Sequence, residues 1–133
     1  LNHLSGGTAL EQYTREDLEQ ALVTLQSMID RSVKVQHKFK EGSSQASLVR
    51  NRIRALQAAS SLISREMEPD RLSESLAKDD LAEALPPIES TIRKCEKVLA
   101  GSAEGSSQAS LTKKMLQALY LSRLLINQEL EQG

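Results

Sequence analysis

Apolar residues recur along the chain at three- and four-residue steps, the spacing that gathers one face of an α-helix. Leu18, Leu22, Leu25, Ile29 and Val33 make a first stripe, and Leu48, Ile53, Leu56, Ala59, Ile63 and Met67 a second. A third runs through Leu81, Leu85, Ile88 and Ile92, and a fourth through Leu111, Met115, Leu119, Ile126 and Leu130. The boundaries carry helix chemistry. Thr14 followed by Asp17 predicts a capping box, in which each residue satisfies a backbone N–H near the other. Gly42 suits the left-handed residue that closes a helix, Ser43 or Ser44 suits the N-cap of the next, and Pro69 ends the second stripe. These signals predict four helices of about 23 to 27 residues, a normal length for a four-helix bundle.

The pattern is duplicated. Glu41-Gly42-Ser43-Ser44-Gln45-Ala46-Ser47-Leu48 returns letter for letter, 63 residues later, as Glu104-Gly105-Ser106-Ser107-Gln108-Ala109-Ser110-Leu111. The same offset aligns 14–68 with 77–131 without a gap, and 22 of those 55 positions match, which makes coincidence untenable. The expectation is an all-α, antiparallel four-helix bundle of two helical hairpins related by a pseudo-twofold axis. Repeat 1 spans 14–68 and repeat 2 spans 77–131, in one domain covering 13–133. Residues 1–12, with Ser5-Gly6-Gly7 and no periodicity, read as a flexible N-terminal arm. One departure stands out. Pro86-Pro87 replaces Val23-Thr24 inside the third helix, where an interior proline costs about 3 kcal/mol unless the helix bends or restarts. The third helix is therefore expected to be kinked or split there, with Asp70–Leu85 forming a short helix of its own.

Composition narrows the functional classes. The 133 residues include two Tyr, one Phe and no Trp, which argues against nucleic-acid modules that stack bases on aromatic platforms. A single cysteine, Cys95, leaves no disulfide framework and no thiolate zinc site. A formal net charge of −1 gives no global pull toward nucleic acid or membrane. No apolar run reaches membrane-spanning length, so the sequence reads as that of a cytoplasmic protein. Cys95 is expected to be an ordinary buried thiol, although Lys94 and Lys97 flank it. A di-iron bundle needs Glu-x-x-His pairs, and the residue three before His37 is Lys34. No Walker A, nucleophile-elbow, zincin or dinucleotide motif is present. The reading is therefore a non-enzymatic protein with neither metal nor cofactor.

His37-Lys38-Phe39-Lys40-Glu41-Gly42-Ser43-Ser44 resembles the motif of histidine phosphotransfer domains, which are four-helix bundles of similar length. The resemblance implies a phosphorelay protein in which His37 accepts phosphate and Lys40, one turn later, helps hold it. It covers eight residues. Glu41 intrudes before Gly42, turning the glycine and serines by about 100° around a helix, and the second repeat has Ala100 where the first has His37.

Charge placement supplies another clue. Arg31, Lys34, Lys38, Lys40, Arg50, Arg52 and Arg54 surround the first octapeptide, and Arg93, Lys94, Lys97, Lys113 and Lys114 the second. Acidic residues gather toward the opposite ends. In the second and fourth helices this order opposes the helix dipole, so dipole matching does not explain it. A pseudo-twofold would bring both Gly-Ser-Ser turns to one basic end, where Ser43, Ser44, Gln45, Arg50, Ser106, Ser107, Gln108 and Lys113 form a candidate anion site for a phosphate-bearing ligand or an acidic partner. The fourth helix is also more apolar than its copy: Met115 replaces Arg52, Tyr120 replaces Gln57, Leu121 replaces Ala58 and Leu124 replaces Ser61. Such a wide apolar face makes the helix either central or half of an interface, and Met115, Tyr120, Leu121 and Leu124 are the candidate contacts of a protein partner or homodimer. The functional expectation is an interaction or adaptor protein.

Overall fold

The structure, a computed structural model, describes residues 12–68 and 76–132. It contains four helices: α1 (Arg15–Gln36), α2 (Ser44–Met67), α3 (Lys78–Gly101) and α4 (Ser107–Glu131). The starts of α1 and α3, and of α2 and α4, differ by the same 63 residues as the octapeptides. The duplication in the sequence is thus a duplication of hairpins.

Local chemistry sets the boundaries. Thr14 Oγ1 accepts from the Asp17 N–H at 3.0 Å and the Asp17 carboxylate accepts from the Thr14 N–H at 2.9 Å, completing the capping box. Gly42 (φ +86°) and Gly105 (φ +78°) take the left-handed conformation that side chains disfavour. Immediately after them, Ser43 Oγ and Ser106 Oγ accept from the Ala46 and Ala109 N–H groups, both at 3.1 Å. Glycine turns the chain and serine starts the next helix, identically in both repeats.

The two hairpins pack together, but not as a square. Both α2 and α4 touch all three other helices, whereas α1 and α3 do not meet. The axis relating the repeats therefore runs between α2 and α4. Small residues are buried at equivalent positions of these two helices, Ala55 and Ala118, Ala59 and Ser122. Leu25, Leu56, Ile63, Leu81, Leu119 and Ile126 are completely buried around them. Ser122 and Thr112, buried with hydroxyls, donate to the Ala118 and Gln108 carbonyls at 2.7 and 2.8 Å. At the end opposite the turns, Arg65 of α2 pairs with Glu129 of α4, and Arg15 Nη1 donates to the Met67 carbonyl at 3.2 Å.

Some expectations need correction. α3 runs unbroken through Pro86-Pro87, so the helix is not split, and the part of Asp70–Leu85 from Lys78 onward belongs to α3. The prolines deprive the Ala82 and Glu83 carbonyls of their usual donors. Both residues are exposed, so water can serve those carbonyls, and Thr91 Oγ1 donates back to the Pro87 carbonyl at 2.8 Å. Val33, Leu48 and Leu111, placed by spacing on core faces, are 39%, 64% and 47% exposed. Near the turns the helices run past the core, so the apolar stripe outlasts its burial. The expected arm over 1–12 falls, apart from Gln12, outside the described residues, as does the start of Asp70–Leu85.

Candidate functional site

A groove of about 850 Å3 lies between α2 and α3. Ala55 and Ala58 of α2 and Ala84, Pro86 and Pro87 of α3 supply its apolar lining, with Gln57, Ser61, Ser90 and Thr91 beside them. At the turn end it is lined by Arg52, Arg54, Arg93 and Lys94, with Leu48 and Asn51 adjacent. At the other end stand Leu76, Asp80 and Glu83. Asp80 and Lys94 are fourteen residues apart on α3, so the two charged ends are separated by about 21 Å.

The duplication explains this opening. The pseudo-twofold carries the α2–α3 seam onto the seam between α4 and α1. That second seam encloses only about 10 Å3, lined by Tyr13, Asp17, Gln20, Ala21, Lys114, Gln117, Ala118 and Leu121. Every one of these corresponds, 63 positions away, to a residue lining the groove: Leu76, Asp80, Glu83, Ala84, Asn51, Arg54, Ala55 and Ala58. The same seam is thus closed in one copy and open in the other. Leu121 is buried where its counterpart is Ala58, and Leu124 packs on the core where its counterpart is Ser61. Met28 is buried where its counterpart is Thr91. Loss of these side chains leaves the trough.

Charge diverges at the same place. In the closed seam, Arg31 Nη2 lies 3.4 Å from Met115 Sδ. The positions equivalent to this touching pair are Lys94 and Arg52, two cations. With their neighbours, four groove positions carry Arg52, Arg54, Arg93 and Lys94, formal charge +4. Their equivalents Met115, Gln117, Asp30 and Arg31 sum to zero. None of the four groove cations has a carboxylate within 4.0 Å among the described residues, nor do Asp80 and Glu83 have a cation that close.

The sequence-derived candidates are only partly brought together. Ser43 and Ser106 accept bonds from their own helix starts, and the Gln108 carbonyl accepts from Thr112, so the octapeptides serve as turns and caps. Ser44, Gln45, Ser107, Gln108 and Lys113 are exposed on the first turns of α2 and α4. Arg50 Nη2 donates to Ser47 Oγ at 3.3 Å. None of these eight lines the groove; the cations that do are their neighbours.

Of the proposed contacts of the fourth helix, one is buried and three are half-buried. Leu121 is 1% exposed, and Met115, Tyr120 and Leu124 pack against the core. α4 touches all three other helices, so part of its wide apolar face serves the core. Tyr120 donates to Glu96 at 2.6 Å, with the Arg123 guanidinium 5.4 Å from its ring. This hydrogen bond, reinforced by burial and the Glu96 charge, raises the phenol pKa against the opposing pull of Arg123.

His37 is the exposed C-cap of α1, and the residues after it leave the helix. The phosphotransfer motif to which this stretch is similar lies within one helix, so the resemblance does not extend to the geometry. Cys95 is buried. Burial raises its thiol pKa, with Arg31 opposing and Glu96 adding. Among the described residues, no cluster of His, Cys, Asp or Glu could hold a metal ion, and no helix is long and apolar enough to cross a membrane. Comparison of the chain with family models, curated proteins and solved structures finds no match, so the reading of this site rests on its own residues.

Proposed function

We propose that this protein is a non-enzymatic interaction module whose α2–α3 groove receives an anionic partner at its Arg52, Arg54, Arg93 and Lys94 end. One observation carries the reading: four cations without carboxylate partners among the described residues line an open seam whose duplicated counterpart is closed and neutral. Clustered like charges oppose the folded state unless an anion offsets them. Guanidinium groups suit carboxylates and phosphates because their N–H donors match both in fork geometry. The anion site sought at the Gly-Ser-Ser turns thus moves along α2 and α3 into the groove.

The test is an amide NMR titration with inorganic phosphate and, separately, with a short poly-glutamate peptide, at low and moderate salt. The expected result is saturable, salt-weakened shifts at Arg52, Arg54, Arg93 and Lys94, with the Gly42 and Gly105 amides nearly still. Shifts confined to Gly42 and Gly105 would return the anion site to the turns. No saturable shift with either probe would refute anion recognition altogether.

A further inference from the structure

The groove has two charged ends, and an anion explains only one of them. Asp80 and Glu83 sit toward the far end without a cation within 4.0 Å among the described residues, about 21 and about 17 Å along α3 from Lys94. Such a surface is complementary to itself. A twofold axis perpendicular to α2 and α3 would lay one copy antiparallel on another, bringing each basic end to the other's acidic end.

Resting on the anionic-partner reading above, we infer that the partner is a second copy of this chain, docked antiparallel through the α2–α3 groove. In this dimer the partner's Asp80 and the partner's Glu83 complete the site formed by Arg52, Arg54, Arg93 and Lys94, and the reverse pairing occurs at the other end. Each basic end is incomplete without the other copy.

Two further features agree. Leu48, 64% exposed at the basic rim, would be covered. The net charge of −1 sets up little long-range repulsion between copies, so local charge order can fix the orientation. The same axis sets α3 against α3 of the other copy, with Arg93 and Lys94 facing the partner's Asp80 and the partner's Glu83. The interface sought on α4 thereby moves to the opposite seam, because the larger residues of α4 fill the core and the smaller ones of α2 leave the opening.

Sedimentation equilibrium of the full chain decides it. Wild type should dimerise, with a dissociation constant that weakens about tenfold or more as salt rises from about 0.05 to about 0.5 M. Asp80→Lys/Glu83→Lys should weaken the dimer at least about tenfold, and the milder Glu83→Lys by less. Mixing Asp80→Lys/Glu83→Lys with Arg93→Glu/Lys94→Glu should restore a dimer containing one of each, because attraction returns at the dominant end. Circular dichroism checks that each variant keeps its helices. A wild type that stays monomeric at about 1 mM and low salt overturns the inference. So does a dimer indifferent to Asp80→Lys/Glu83→Lys, since its interface would lie elsewhere. If phosphate still shifts the basic-end amides of a strict monomer, only the dimer fails and the anion reading stands.

Discussion

The open and closed seams are two fillings of one packing plan, and exchanging their residues should exchange their energetics. Leu121 is 1% exposed in the closed seam. Leu121→Ala deletes the equivalent of three methylenes, about 2.4 kcal/mol of transfer at ~0.8 each, plus a cavity cost, for a total of about 3 kcal/mol. Ala58→Leu places those atoms in the open groove, where α2 and α3 cover them on one side only. About half the transfer is recovered there, so the variant should gain about 1 kcal/mol. Helix propensity barely enters, since alanine and leucine are both strong formers. Urea unfolding followed by circular dichroism, at concentrations too low for association, reads both values. With a slope near ~2 kcal/mol/M, the midpoint should fall by about 1.5 M for Leu121→Ala and rise by about 0.5 M for Ala58→Leu. A Leu121→Ala cost below about 1 kcal/mol, or an Ala58→Leu loss of the same size, would refute the equivalence of the seams.

Other consequences concern the turns and two titrating groups. A Cβ added at Gly42 or Gly105 meets nothing within 4 Å, so each Gly→Ala variant should lose only the backbone cost of positive φ. That cost is about 1 kcal/mol, measured by the same unfolding curves. Cys95 should react slowly with a thiol reagent in the folded protein and rapidly in urea, because burial hides it and raises its pKa. Tyr120 also has a raised folded pKa, so the folded state holds the phenolic proton more tightly than the unfolded one. Its contribution is complete below the ordinary tyrosine range and is lost as pH rises through the folded pKa. Alkaline unfolding curves should flatten in Tyr120→Phe, and an unchanged slope would count against the Glu96 hydrogen bond.

What the sequence revealed was mostly local chemistry. Thr14 with Asp17, Ser43 and Ser106 mark helix starts through bonds to atoms a few residues away, so they can be read without knowing the fold, whereas Gly42, expected to close the first helix, lies five residues beyond its His37 cap. Of the two outcomes expected at Pro86-Pro87, a split is absent, because the cost of an interior proline depends on whether the freed carbonyls reach water, and those of Ala82 and Glu83 belong to exposed residues. The asymmetry between Ala58 and Leu121, or Ser61 and Leu124, was visible in the letters, but its meaning was not. Periodicity tells which residues share a face, while the choice of helices on the bundle's inside is set by long-range packing. The larger side chains of α4 are the conspicuous ones in the sequence, although the smaller ones of α2 make the opening.

The unequal neighbourhoods of the helices also order their local stability. Helices α2 and α4 each touch three partners, whereas α1 and α3 touch two and never each other. Either outer helix can therefore open while α2 and α4 stay together, and α3, with two backbone hydrogen bonds removed by proline, has less to hold it. Amide exchange should be slowest in α2 and α4. Release of α3 would dismantle the groove, while release of α1 would leave it standing. Anything bound in the groove should then slow exchange in α3 well before it affects α1.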